Sequence, residues 1–129
     1  LFEFGFGLSY TSFNINSASA ERDSYSVYDD IKLTVEIENT GVRKGAEVIQ
    51  VYSHDVKSSV KRPFKELKAF QKVFLAPGEK KSIELSIPVR DLAFWDEEIN
   101  DWNIERGDFE LMIGVSSRDI KKVLTVTVL

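Results

Sequence analysis

Apolar and polar side chains alternate along much of the chain. The clearest segment runs from Ile31 to Glu38, where aliphatic residues alternate with Lys, Thr and Glu. Consecutive side chains of a β-strand point to opposite faces, so this pattern predicts a strand with one buried and one solvated face. The same alternation recurs around Leu85, Leu111 and Val126, and it predicts a strand at each of these places.

Two further segments break the alternation in informative ways. Val48–Tyr52 has apolar residues on both faces, as a central strand does. The alternation of Leu67–Leu75 slips near Phe70, which predicts a β-bulge there. Directly after that segment, Pro77 and Gly78 predict a type II turn, because Pro presets φ and Gly accepts a positive φ.

The same patterns fix the expected fold class. No segment of about 12 residues shows a helical period, and we expect at most one helical turn, within Val89–Trp95. Turn signals recur every 8–15 residues or so, as in antiparallel sheet proteins. The sequence therefore predicts an all-β fold, an immunoglobulin-like antiparallel sandwich of two sheets with about seven strands.

Two regions do not fit a self-contained sandwich. Residues 1–13 are rich in aromatic side chains, and we interpret them as a linker arm that precedes a domain at 14–129. So many apolar side chains need a surface to cover, either this domain's own sheet or a neighbouring domain. The arm residues that we expect to dock are Phe4, Phe6, Leu8 and Tyr10.

The second such region is the long basic segment Lys57–Lys68. One interpretation is a solubilising face, on which lysine also discourages edge pairing. The other is docking onto an acidic surface, for which Arg62, Pro63 and Lys65 are the candidates. Pro fixes the path of a loop, and Arg can bind a carboxylate through two hydrogen bonds.

Composition narrows the classes of partner. The net charge of −4 argues against a nucleic-acid partner, and no apolar run is long enough to span a bilayer. There is no cysteine, so disulfides and thiolate metal sites are excluded. The N-terminus lacks the basic region of a signal peptide, and we interpret the chain as a fragment or a processed product.

Candidate chemical groups are sparse. Asp96, Glu97 and Glu98 are acidic, but adjacent residues of a strand face opposite ways, so we expect a solvated loop rather than a catalytic pair. His54 is the only histidine, and beside Asp55 we expect it to be structural. The remaining acidic residues lack the spacing of a calcium loop. We therefore predict no catalytic residue, no cofactor and no metal site.

Four large aromatic residues allow two interpretations. One is a platform on which sugars stack, as in a carbohydrate-binding module. The other is the core of the sandwich, which commonly buries large aromatic side chains, and we favour this one. The four are Phe94, Trp95, Trp102 and Tyr52.

Five segments, in order along the chain, resemble one known domain. They cover nearly the whole sequence, and it is their shared order that makes the resemblance specific. That domain is the C-terminal fibronectin type III-like domain of family 3 β-glucosidases. The segments are FEFGFGLSYTSF at 2–13, ENTGVRKGAEVIQVY at 38–52, KRPFKELKAFQKVFLAPGE at 61–79, DLAFWDEE at 91–98 and ERGDFELMIGVSSRDI at 105–120.

The resemblance implies a structural module without catalytic residues of its own. The parent would be a retaining exo-acting glycosidase that removes terminal non-reducing β-D-glucosyl residues, or a β-xylosidase. Its catalytic domains would be the main partner, and a homodimer of the parent a second one. A periplasmic or secreted parent is favoured over a cytoplasmic one. The alternatives are an autonomous carbohydrate-binding module and an adhesion-type immunoglobulin-like domain.

Overall fold

The computed structural model describes residues 12–56, 66–116 and 119–129. These residues form ten strands and one short 3-10 helix, Val89–Leu92. The helix lies where one helical turn was predicted. The strands are β1 Phe13–Ala20, β2 Ser24–Tyr25, β3 Asp30–Asn39, β4 Gly45–Asp55, β5 Glu66–Leu75, β6 Lys80–Pro88, β7 Phe94–Asp96, β8 Asp101–Asn103, β9 Gly107–Ser116 and β10 Asp119–Val128.

The strands pack as the predicted sandwich. One sheet has the order β1-β3-β6 and the other the order β2-β10-β9-β4-β5. Two details correct the prediction. Ten strands replace about seven, because β2, β7 and β8 have only two or three residues each and show no alternation. In addition, β2 pairs with β10 in parallel, whereas the prediction was antiparallel throughout.

The predicted alternation builds the core. β3 pairs with β6 so that Ile31 lies opposite Ile87 and Leu33 opposite Leu85, which puts apolar rows on one face. These rows pack against the facing rows of the larger sheet, where Phe109 is one of the largest fully buried side chains. Burial of apolar area is the main favourable term for such a fold.

Strand β4 occupies the central position that its composition predicted. It lies between β9 and β5, and its residues 46–53 are all buried. In its pairing with β5, Val51 lies opposite Ala69 and Tyr52 opposite Leu67, so Lys68 is an extra residue. This irregularity is the bulge predicted near Phe70, two residues away.

The sandwich has two distinct ends. The first, which we call the closed end, contains the start of β1, the end of β3 and the β5–β6 turn. At the second, the hairpin end, β6 leads through the 3-10 helix into the β7–β8 hairpin, and β9 begins opposite the last residues of β10. The ten-residue β3 separates the two ends by roughly 33 Å, at about 3.3 Å per residue.

Candidate functional site: the two ends of the sandwich

The residues predicted to dock lie outside the described part of the chain, but the described residues beside them locate their attachment points. Thr40 donates a backbone hydrogen bond of 2.9 Å to the carbonyl of Ser12, so the first thirteen residues join the domain at the closed end. Val56 donates to Asp108 and Glu66 lies opposite Ser53, so the basic loop joins at the hairpin end. The two predicted groups are therefore attached at opposite ends. They are Phe4, Phe6, Leu8 and Tyr10 in the first, and Arg62, Pro63 and Lys65 in the second.

The closed end is organised by the side chain of Asn39, which has no solvent exposure. Its amide Nδ2 donates hydrogen bonds to the carbonyls of Arg43, at 2.8 Å, and Leu75, at 3.1 Å. Its Oδ1 accepts a hydrogen bond of 2.9 Å from the backbone N–H of Gly41. One side chain thus ties the end of β3 to the following loop and to a strand of the other sheet.

The backbone of Asn39 fixes the turn between β5 and β6. Its N–H donates to the carbonyl of Glu79 and its carbonyl accepts from Gly78, at 3.0 and 2.9 Å. Gly78 has a φ of +76° and Glu79 donates back to Ala76, which is the predicted type II turn. The side chain and backbone of Asn39 therefore have hydrogen-bond partners within the domain.

The hairpin end carries the main departure from the sequence prediction. Phe94 and Tyr52 are buried, as expected, but Trp95 and Trp102 are 48% and 63% exposed. The core interpretation is therefore wrong for both tryptophans. They lie directly opposite each other on β7 and β8, hence on one face of the hairpin, with ring centroids 5.6 Å apart and planes at 85°.

A signal for this exposure was present in the sequence. Phe94 and Trp95 are adjacent, and adjacent residues of a strand cannot both face the core. For Trp102 no such signal exists, because the polar neighbours Asp101 and Asn103 give the alternation of a buried strand position. Short strands offer too few positions for a period to be read, and for that reason the aromatic content alone was misleading.

A groove of about 850 Å³ opens beside Trp102. Its lining includes the cations Lys68, Arg90 and Arg106 and the carboxylates of Glu66 and Asp91. The groove thus places one exposed aromatic ring beside three cationic and two anionic side chains.

In the acidic cluster of Asp96, Glu97 and Glu98, the carboxylate of Asp96 forms hydrogen bonds within the β7–β8 hairpin. Asp96 accepts a hydrogen bond of 3.0 Å from the backbone N–H of Glu98 and another of 3.0 Å from the side-chain amide of Asn103. Glu97 and Glu98 are exposed, as expected of a solvated loop. Asn100 adopts a φ of 53°, a left-handed conformation that Asn tolerates well in tight loops.

The other candidate groups do not converge within the described ranges. His54 is half-buried on β4 and lies opposite Glu110 of β9. Among residues 12–56, 66–116 and 119–129, no three His, Asp or Glu side chains come together as metal ligands. In the same ranges, no helix has the length and apolar character to cross a membrane.

One carboxyl group near the hairpin end has a perturbed pKa. Asp29 accepts a hydrogen bond of 2.8 Å from the backbone N–H of Ser26, which holds the pKa of Asp29 below its ordinary value of 3.8. Arg22 adds to this effect from 3.3 Å. The guanidinium of Arg22 also lies over the ring of Tyr25, so the three side chains pin β2 against the loop that precedes β3.

Comparison with known proteins gives consistent matches. The fibronectin type III-like domain family matches residues 47–117. The chain is 47% identical over 120 residues to thermostable β-glucosidase B of Acetivibrio thermocellus, covering 93% of the chain and 16% of that protein. It is 39% identical over 122 residues to a periplasmic β-glucosidase of Salmonella typhimurium, with coverages of 95% and 16%.

A third relative has a different name. The chain is 38% identical over 123 residues to an exo-α-(1→6)-L-arabinopyranosidase of Bifidobacterium breve, covering 95% of the chain and 16% of that enzyme. Among solved structures, the GH3 β-glucosidase of Bifidobacterium adolescentis superposes with a TM-score of 0.88 at 39% identity, covering 98% of the chain and 18% of that structure. The chain therefore spans about one-sixth of these relatives, and the matched stretch lies at the C-terminal end of the β-glucosidases.

Proposed function

Because the chain belongs to the fibronectin type III-like domain family, we propose that it is the non-catalytic C-terminal domain of a family 3 β-glucosidase. The observation that carries the proposal is the coverage, since nearly the whole chain matches only 16% of each of two β-glucosidases. Its role is structural, because a rigid sandwich with a buried core can hold neighbouring domains in a fixed arrangement.

In this proposal the reaction belongs to the rest of the polypeptide. The parent hydrolyses terminal non-reducing β-D-glucosyl residues by a retaining mechanism, which needs two carboxyl groups about 5–5.5 Å apart across the scissile bond. Those groups lie in the catalytic domains. Residues 1–13 are the linker from those domains and 14–129 the packed module.

The choice of sugar is not a property of this domain. One close relative is named an arabinopyranosidase, although its matching stretch is 38% identical to the chain. A β-xylosidase parent is therefore compatible with the same module. A relative named periplasmic supports a periplasmic or secreted parent over a cytoplasmic one. A homodimer of the parent remains part of the proposal, as a second partner beside the catalytic domains.

The two alternative functions have less support. An autonomous carbohydrate-binding module or an adhesion-type domain would be expected to match proteins of those classes. The relatives and the solved structure described above are glycosidases, and in each of them the match is one stretch of a longer enzyme.

The proposal is tested by separating the domain from the rest of the polypeptide. The 129-residue chain alone should fold cooperatively and release no product from an aryl β-glucoside. The full-length polypeptide should hydrolyse that substrate, and deletion of 14–129 should accelerate its thermal inactivation. Turnover by the purified chain, or a deletion that leaves the rate of inactivation unchanged, would refute the proposal.

A further inference from the structure

The β7–β8 hairpin holds two aromatic rings outside the core. Two-stranded hairpins are marginally stable in water on their own. This one is fixed to the domain by the buried side chains of Leu92 and Phe94, and its loop is held by the hydrogen bonds of Asp96. Trp95 and Trp102 on its other face are thereby presented in one arrangement, about half exposed.

The geometry of the two rings argues against sugar binding. A platform for sugars presents flat ring faces, on which pyranose rings can lie. The planes of Trp95 and Trp102 meet at 85°, so one ring points its edge at the face of the other. Such an edge-to-face pair forms a ridge, which fits a pocket in a protein surface better than it fits a flat sugar.

The charges beside the ridge indicate the chemistry of the partner. The groove next to Trp102 is lined by charges of both signs, namely the cations of Lys68, Arg90 and Arg106 and the carboxylates of Glu66 and Asp91. Trp and Arg are among the residues most enriched at the positions that contribute most of the binding energy of a protein interface. A surface that complements this arrangement has an apolar pocket for the ridge and charged groups of both signs at its rim.

We propose that the β7–β8 hairpin is the anchor by which the domain docks onto the rest of the same polypeptide, at an apolar pocket with a charged rim. This inference rests on the proposed function and names the surface that performs it. The relatives are about six times as long as the matched stretch, so most of such a polypeptide lies outside this chain. A tethered partner is present at an effective concentration in the millimolar range, so a small anchor suffices.

Amide hydrogen exchange, read by mass spectrometry, tests the proposal without any substitution. We expect the peptide that spans Phe94–Asn103 to exchange at least about tenfold more slowly in the full-length polypeptide than in the 129-residue chain. If protection instead appears only at another surface, the domain docks but the hairpin is not its anchor. If no surface gains protection, the proposed function fails together with the inference.

Two variants of the full-length polypeptide sharpen the test. Trp102→Ala should remove most of the added protection of the hairpin. Phe74→Ala is the matched control, because Phe74 is an aromatic residue of similar exposure, 62%, at the closed end, and it should leave that protection intact. Equal losses in the two variants would contradict the proposal.

A titration of the 129-residue chain with cello- and laminari-oligosaccharides addresses the other ligand class. The chain has two tryptophans, both in the hairpin, so its tryptophan emission reports on this site alone. We expect no saturable change in emission. Saturable quenching would overturn the proposal in favour of a sugar-binding surface.

Discussion

The two ends of the sandwich differ in the kind of side chain that they bury or expose. At the closed end a polar amide, Asn39, is fully buried, and each of its polar atoms has a hydrogen-bond partner. At the hairpin end two large apolar rings, Trp95 and Trp102, stand about half exposed. The usual preference is polar outside and apolar inside, so both ends depart from it.

The difference separates a structural role from a docking role. A buried polar group costs stability unless it is paired, so Asn39 is explained by the bonds it makes within the domain. The tryptophans gain little within the domain from their position, and their placement is explained by a surface outside it. Substitutions at the two ends should therefore affect different measurements.

The largest expected effect is at the closed end. Asn39→Ala removes the partner of two carbonyls and one N–H in a buried site, and we expect it to destabilise the chain by about 3 kcal/mol. Urea denaturation of the 129-residue chain measures this loss. Thr40→Ala, at the exposed neighbouring position, is the control and should cost less than about 1 kcal/mol. Equal costs would mean that the amide does not organise this end.

The second-largest expected loss of stability comes from a change of backbone conformation at the same end. Gly78 has a φ of +76°, and no atom lies within 4 Å of where a Cβ would stand, so Gly78→Ala strains the backbone without a clash. We expect a cost of about 1–2 kcal/mol in urea denaturation. Gly78→Asn should recover part of that loss, because Asn tolerates this conformation. If Asn is no better than Ala, the cost does not come from φ.

At the hairpin end the effect on the isolated chain should be small. Trp102→Ala removes a ring that is 63% exposed, and we expect a change within about 1 kcal/mol in the 129-residue chain. The adjacent pair offers a sharp contrast, because Phe94→Ala removes a buried ring and should unfold the chain at clearly lower urea than Trp95→Ala. A large loss for Trp102→Ala would place that ring in the structure of the domain rather than at an interface.

The smallest effect concerns a charge. Because its pKa is lowered in the folded state, Asp29 contributes stability that is present above its ordinary pKa of 3.8 and is lost as the pH falls through the lowered value. Asp29→Asn should therefore lower the urea midpoint at neutral pH and converge with the unmodified chain in acid.

A second variant separates the causes of that lowered pKa. Arg22→Ala should reproduce only part of the effect of Asp29→Asn, since the hydrogen bond from Ser26 is the larger cause. If the Asp29→Asn and unmodified chains show parallel pH profiles, the carboxylate contributes nothing through its charge.

The sequence predicted those parts of the fold that repeat a period or need a special backbone. The alternation of β3 and β6, the double burial of β4, the bulge near Phe70 and the Pro77-Gly78 turn are confirmed. The family was predicted from five segments that occur in the same order as in the known domain. Two-residue β2 was missed, because nothing local marks a strand that forms only through a distant partner.

The docking surface was harder to predict, for a physical reason. Composition tells which side chains are apolar, but the face that each one occupies in a three-residue strand depends on how the hairpin sits on the domain. The burial of Asn39 could not be predicted from the sequence, because it depends on a contact with Leu75, which is far away in sequence. The predicted docking residues in the two segments outside the described ranges remain predictions.

The parallel pair of β2 and β10 has a consequence for synthesis on the ribosome. Ser24 and Tyr25 pair with Thr127 and Val128, and Leu129 donates a backbone hydrogen bond to Tyr25. About a hundred residues must be translated between these partners, so the nascent domain cannot close its larger sheet until translation has passed Val128. Long-range pairing of this kind slows folding, and the exposed sheet edge of the unfinished chain is then a target for chaperones.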